Sequence, residues 1–185
     1  GKPSQKVWRL AYPNGKTWES LPDLPGCGRL QPCLVVQNGN VGANLYVFGG
    51  FTPAVDADHK ETASTQAGGL CLHLKTNEWT ETSPMLNGEV ALVGASCVPS
   101  GSQHILFFGG VNKDIFTKAL RNPDPDYMRH DADWYNFRKE ILVYNTITDA
   151  WSTSAADARL ARAGAQVVLM DGAWHIIGGE TMPGI

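Results

Sequence analysis

Short apolar runs separated by polar turns recur along the whole chain. Three of them end in two glycines, LYVFGG, ILFFGG and WHIIGG, which close at Gly50, Gly110 and Gly179. Apolar and β-branched runs of four to eight residues between turn residues are typical of strands. The pattern therefore predicts an all-β protein of short antiparallel strands.

Two further markers recur in a fixed order relative to the glycines. A strand, a polar turn and a tryptophan end at Trp18, Trp79 and Trp151, and a charged residue opens another apolar run at Arg29, Glu89 and Arg162. The first glycines of the pairs are 60 and 69 residues apart and the tryptophans 61 and 72. Because all spacings lengthen together, they indicate one four-stranded repeat with an insert between Gly110 and Ile141.

A double glycine followed by a tryptophan on a four-stranded unit resembles the kelch repeat, which implies a kelch-type β-propeller. We expect about three four-stranded blades, half of a six-bladed propeller, in one partial domain over residues 1–185. Its expected parts are the outer strands of an incomplete blade over 1–25, a blade over 29–83, a blade over 89–154 with an insert at 111–140, and the inner strands of a further blade over 162–185. Since propellers take roughly four to eight blades, the rest of the protein or a second chain would complete the ring.

Strand alternation predicts where a site would lie. The start of each first strand and the end of each second strand share one face, and the connections there are long, with roughly 18 residues after Gly50 and 30 after Gly110, as functional loops often are. The insert contains HDADWYNFRKEIL, for which we expect a short helix over the channel mouth or a loop that covers blade edges. Six polar side chains are expected on this face: Arg29, Glu89, Asn112, Asp114, Arg162 and Glu180.

Composition and charge narrow the function classes. A formal net charge of -3 gives no attraction for a polyanion, so no nucleic-acid partner is expected, and no run of 18 apolar residues predicts a membrane span. Neither histidines nor cysteines have metal-ligand spacing, so no metal or other cofactor is expected. Cys33, Cys71 and Cys97 lie in apolar runs and are expected in the core, whereas Cys27 lies in a turn and could pair with Cys33 in an oxidising compartment.

Three longer segments carry a more specific resemblance: GGVNKDIF at 109–116, ADWYNFRKEILVYNTITDAW at 132–151 and GGETMPGI at 178–185. Together they resemble the bacterial N-acetylneuraminate epimerases, or sialic acid mutarotases, which include a circularly permuted branch; the chain resembles about half of such a protein. The resemblance implies a periplasmic or secreted six-bladed isomerase that interconverts sialic acid anomers. It places Glu180 at the family's catalytic glutamate.

The residue types suit that chemistry. Anomer exchange needs one group that takes and returns a proton, which a carboxylate at Glu180 can do. A sialic acid carries a carboxylate, for which Arg29 and Arg162 are the candidate guanidinium partners, although each could instead cap a blade turn. Asn112 and Asp114 are further candidate sugar contacts, and Glu89 is expected to be solvated.

Two rival functions remain at this point. A kelch propeller can bind proteins or glycans without catalysis, because a fold does not fix a function. A copper radical oxidase shares these blades but needs a Cys, Tyr and His ligand set, which the sequence does not display.

Overall fold

The computed structural model describes residues 3–55 and 61–184 and consists mainly of antiparallel strands. The strands are β1 Val7–Arg9, β2 Glu19–Leu21, β3 Cys33–Gly39, β4 Gly42–Phe48, β5 Phe51–Val55, β6 Glu61–Thr65, β7 Gly69–His73, β8 Glu78–Glu81, β9 Ser96–Ser100, β10 His104–Phe108, β11 Glu140–Asn145, β12 Ala150–Ala156, β13 Gln166–Met170 and β14 Ala173–Ile177. The helices are α1 Lys113–Arg121 and α2 Ala132–Tyr135, with single 3-10 turns at Met85–Gly88, Tyr127–Arg129 and Ala158–Leu160.

The strands form two complete blades flanked by two half-blades. The complete blades have the orders β3-β4-β7-β8 and β9-β10-β11-β12, and all neighbours within them are antiparallel. The pair β1-β2 flanks them on one side and the pair β13-β14 on the other. In the repeat, β1 and β2 correspond to third and fourth strands, and β13 and β14 to first and second strands. The prediction of a partial kelch-type propeller is confirmed.

Three local expectations differ from the structure. The first strand of the second complete blade begins at Ser96 and not directly after Glu89, which opens the apolar run, because residues 90–93 are buried in an irregular segment that precedes a turn at Gly94, where φ is +66°. The connection after Gly50 is a hairpin, β5-β6, whose tip lies outside the described residues. The HDADWYNFRKEIL segment contains the short helix α2, as expected, but the longer helix of the insert, α1, lies upstream of it and was not predicted.

Aromatic rings fill the interface between the two complete blades. Phe48 is fully buried and meets Phe107 and Trp151 edge-on, with ring centroids 5.1 and 5.3 Å apart. Tyr144 joins the same cluster 5.1 Å from Phe48. Such aromatic contacts contribute energy beyond the area that they bury. They hold the blades in a fixed orientation and so fix the geometry of the face that the long connections cover.

The repeated tryptophans connect each blade to the one before it. Trp79 Nε1 donates to Pro22 O at 3.1 Å, and Trp151 Nε1 donates to Ser83 O at 3.0 Å. Both acceptors directly follow, or lie two residues beyond, the fourth strand of the preceding unit. The tryptophans thus link neighbouring blades at two successive interfaces.

Replacing Trp151 with phenylalanine should lower the stability of the chain by about 1–3 kcal/mol, because the Ser83 carbonyl loses its donor and the smaller ring leaves a gap. The matched control is Trp18→Phe, since the Trp18 side chain is 64% exposed, and we expect a change within about 0.5 kcal/mol. Urea unfolding followed by circular dichroism measures both. Equal midpoints for the two variants would contradict this role.

The double glycines lie where neighbouring blades touch through their backbones. Gly50 N donates to Leu92 O at 3.2 Å, and Gly110 N donates to Arg162 O at 2.7 Å. A β-carbon on Gly49 would lie 2.7 Å from Leu92 Cβ. The first glycine of each of these two pairs is therefore required by close approach as well as by its positive φ.

A second set of backbone bonds links the starts of the first strands. Gly94 N donates to Gln31 O at 3.4 Å, and Gly164 N donates to Gly94 O at 2.7 Å. Gln31, Gly94 and Gly164 thus form a ladder with one rung per blade. It ties successive units together beside the candidate site.

Both sides of the pair of complete blades leave apolar side chains in solvent. On the β3 side Leu34 is 61% exposed, and on the β13-β14 side Ile177 is 59% exposed. A β-carbon on Gly178 would meet no atom within 4 Å, in contrast to Gly49. Both surfaces have the character of blade interfaces without their neighbours.

Candidate functional site

The long connections build a wall on one face of the blades. Helix α1 packs against β6, and the rings of Phe51 and Phe116 meet edge-on at 5.2 Å. Asn112 begins the helix, because its Oδ1 accepts from Asp114 N at 3.0 Å and from Ile115 N at 3.1 Å. Lys113 Nζ fixes the start of the helix by donating to Gly88 O at 2.6 Å.

The rest of the insert is held by an aromatic cluster. Tyr135 is 1% exposed, and its hydroxyl donates to Tyr127 O. Trp134 stacks on His130 with ring centroids 3.8 Å apart. The cluster orders the segment between α1 and β11 and fixes the Tyr127 ring edge-on to Tyr135 at 5.5 Å.

Between the insert and the blade ends lies a cavity of about 430 Å³. Its size is in the range of small-molecule sites. Backbone segments from all three units contribute, as do aromatic rings from the insert. The lining residues are Gln31, Gly94, Val111, Phe116, Tyr127, Phe137, Ala163, Gly164, Gly179, Glu180 and Pro183.

Glu180 supplies the carboxylate of this cavity. Its backbone pairs with Ala163 in both directions, at 2.8 and 2.9 Å, and its Oε2 accepts from Gly184 N at 2.9 Å. Phe51 and Val111 follow the other double glycines directly. A carboxylate thus stands where the other two units place an apolar side chain.

Tyr127 lines the same cavity and was not among the residues predicted from the sequence. Burial, followed by the nearby Tyr135 hydroxyl and Glu180 carboxylate, raises the pKa of Tyr127 above its ordinary value. The phenol therefore stays protonated at neutral pH and can donate a hydrogen bond. The abundance of aromatic residues in the insert was the available signal, but it did not indicate which ring would reach the cavity.

Arg29 and Arg162 occupy equivalent places in the repeat and make equivalent contacts. Arg29 Nη1 donates to Gly49 O at 3.2 Å and to Gly68 O at 3.2 Å. Arg162 Nη1 donates to Gly178 O at 3.4 Å. Each guanidinium thus holds the carbonyl of the first glycine of a pair, and neither residue is among those lining the cavity. Their role in substrate binding stays a prediction.

Asn112 and Asp114 lie in a separate, more polar recess of about 220 Å³, together with Glu89 and Arg138. The two recesses share Val111 and Phe137 as a common wall. The structure therefore brings Asn112 and Asp114 together but does not place them beside Glu180. Their contact with a sugar also stays a prediction.

The described part of the chain also bears on two other classes of function. No group of three or more His, Cys, Asp or Glu side chains in residues 3–55 and 61–184 is arranged to hold a metal ion. No helix within the same ranges has the length and apolar character needed to cross a membrane.

The blades, the double glycines and the covered cavity define the chain as part of a kelch-type β-propeller. A solved structure described as "Structure of YjhT" aligns with a TM-score of 0.78 over 98% of this chain and 54% of that chain, at 23% identity. This likeness supports the fold.

The family model of N-acetylneuraminate epimerase matches residues 1–185, and the chain belongs to that family. An N-acetylneuraminate epimerase of Pasteurella multocida is 28% identical over 201 residues, which cover 100% of this chain and 50% of that protein. A Kelch domain-containing protein of Vibrio cholerae is 25% identical over 91% of this chain and 49% of its own length. The chain thus spans about half the length of these relatives.

Proposed function

We propose that the full-length protein containing this chain interconverts the anomers of N-acetylneuraminate, and that Glu180 is its acid and base. The observation that carries the proposal is the Glu180 carboxylate in the 430 Å³ cavity, held by Gly184 N. Membership in the epimerase family supports the substrate class. The periplasmic or secreted location that the resemblance implies is part of the same proposal.

The proposed reaction needs few groups. The Glu180 carboxylate takes the proton from the anomeric hydroxyl, the ring oxygen receives a proton as its bond to the anomeric carbon breaks, and the open keto form results. In the open form, rotation about the bond between the carbonyl carbon and the next carbon of the former ring presents the other face of the carbonyl. Reclosure by the reverse steps then gives the other anomer. The protonated phenol of Tyr127 lines the same cavity and can donate a hydrogen bond to the ring oxygen.

The substrate carboxylate needs a cation that this cavity lining does not provide. Among the described residues that line it, none carries a positive charge. Arg29 and Arg162 would have to leave the glycine carbonyls that they bind in order to reach a ligand. We therefore expect the guanidinium to come from the remainder of the full-length protein, which would also cover the exposed blade surfaces on both sides.

Nuclear magnetic resonance on sialic acid freshly released as a single anomer tests the activity directly. The full-length protein should accelerate approach to anomeric equilibrium well beyond the spontaneous rate at neutral pH. Saturable sugar binding without acceleration would instead establish a non-catalytic glycan-binding propeller. If the protein showed no sugar binding and no acceleration, both hypotheses would be wrong.

Tyr127→Phe in the full-length protein should lower kcat by about 10- to 100-fold, because the variant keeps the ring and loses only the donor. Tyr12→Phe is the matched control, since Tyr12 is 95% exposed and should retain full activity. Saturation kinetics at neutral pH separate kcat from KM. Unchanged kcat in Tyr127→Phe would remove the phenol from the reaction and leave Glu180 as sole proton carrier.

A further inference from the structure

Two cysteine thiols face each other across the interface between the complete blades. In β3 the alternate residues Cys33, Val35 and Gln37 are buried. The Gln37 amide shows the direction of this face, because its Nε2 donates to His104 O of the next blade at 2.8 Å. Cys33 therefore faces β9, the first strand of that blade.

Cys97 lies on β9 and faces back towards β3. Cys33 Sγ donates to Ala95 O at 3.3 Å, and Cys97 Sγ donates to Leu34 O at 3.5 Å. Each acceptor is within two residues of the other cysteine, so both side chains cross the same gap at the same level. The Cys33 thiol shares its proton with the neighbouring Cys97 sulfur, and this hydrogen bond together with burial raises the pKa of Cys33 well above its ordinary value.

The other two cysteines have different surroundings. Cys27 Sγ lies 3.1 Å from Thr52 Oγ1 and 3.7 Å from Gln66 Nε2, so it is not paired with Cys33, and that sequence-based alternative is wrong for the structure. Cys71 is buried, and burial raises the pKa of its thiol. Both are suitable controls.

We propose that Cys33 and Cys97 are an oxidisable pair whose disulfide joins the first strands of neighbouring blades. The oxidant is a low-molecular-weight disulfide. Because Cys33 is 2% exposed whereas Cys97 is only partly buried, Cys97 reacts first.

The step balances as a two-electron exchange. Cys97 loses its proton to solvent, and its thiolate attacks one sulfur of the oxidant, forming a mixed disulfide and releasing one small thiol. Cys33 then loses its proton and attacks Cys97 Sγ, which releases the second small thiol. Two protein thiols are oxidised while one external disulfide is reduced to two thiols.

The position of the pair predicts two properties of the reaction. Since the thiolate is the nucleophile and burial raises the pKa of Cys33, closure should be slow at neutral pH and should become about tenfold faster per pH unit as long as the pH stays below that pKa. The cross-link would close a long loop, so it should raise the thermal midpoint by about 5–15 °C, reversibly on reduction.

Incubation of the folded chain with oxidised glutathione tests the pair. Peptide mapping by mass spectrometry should find Cys33 joined to Cys97, with a fall from four free thiols to two. The double variant Cys27→Ser/Cys71→Ser should close as the wild type does, whereas Cys97→Ser should keep Cys33 reduced.

Stable glutathione adducts on Cys97 without closure, or a map that joins other cysteines, would overturn the proposal. The wild-type map alone decides this if a variant fails to fold. The thermal midpoint of the Cys27→Ser/Cys71→Ser variant, measured after oxidation and again after reduction, gives an independent test. Equal midpoints in the two states would show that no cross-link had constrained the blades.

Discussion

Glu180→Gln should reduce the acceleration of anomer exchange by about 10²- to 10⁴-fold in the full-length protein. Glutamine keeps the size of the side chain, and its carbonyl oxygen can still accept from Gly184 N, but it cannot take a proton from the sugar. The lost transition-state stabilisation corresponds to about 3–5 kcal/mol. We therefore expect the loss in kcat, with KM changed much less.

Glu78→Gln is the matched control, because Glu78 is an exposed glutamate on β8, and its activity should equal that of the wild type. Line-shape or time-course measurements by nuclear magnetic resonance give both rates on one substrate. A Glu180→Gln variant that retained more than about a third of the wild-type rate would show that Glu180 is not the proton carrier. It would leave the family membership untouched.

Gly109→Ala should strongly destabilise the chain, because a backbone clash and a positive φ coincide at this position. A methyl group there would overlap the Arg162 carbonyl oxygen, the same atom that accepts from Gly110 N, so the bond between the blades could not survive. The backbone at Gly109 also has φ of +66°, which adds about 1–2 kcal/mol for any residue with a β-carbon. We expect a total loss of more than about 4 kcal/mol.

Gly178→Ala separates the two contributions. Gly178 has φ of +69°, but no atom lies within 4 Å of the place that a methyl group would take, so only the backbone cost of about 1–2 kcal/mol should remain. Urea unfolding of the 185-residue chain compares the two variants. Equal losses would show that positive φ alone explains the double glycines.

The blade architecture was predictable because its signals are local and repeat. Strand alternation, a glycine pair and a tryptophan recur in order, and each has the same physical role wherever it occurs. Helix α1 could also have been predicted, because Asn112 and Asp114 are typical of a helix start and the apolar residues Phe116 and Leu120 recur at helical spacing. The aromatic segment downstream is the more conspicuous pattern, which is why the helix predicted for the insert was the short α2 and not the longer α1.

The candidate site was less predictable because it depends on tertiary packing. Alternation placed Arg29, Arg162 and Glu180 at the same end of the repeat, but not the direction of each side chain. The guanidinium groups of Arg29 and Arg162 bind carbonyls of the double glycines. The direction of these carbonyls depends on the backbone geometry, which the sequence does not show. Tyr127 lies at the cavity in a loop that is held by the Tyr135 hydroxyl and by ring contacts with Trp134 and Tyr135, which are tertiary contacts within the insert.

The ladder of Gln31, Gly94 and Gly164 has a direction, since each amide points to the carbonyl of the preceding unit. A head-to-tail contact of this kind is heterologous. A series of units joined by it closes into a ring only when a whole number of equal rotations makes one full turn. A slightly different angle repeated at every rung would wind the same units into an open spiral that never closes. Ring closure, and with it any central site, therefore depends on this repeated amide contact together with the aromatic and tryptophan contacts between the blades.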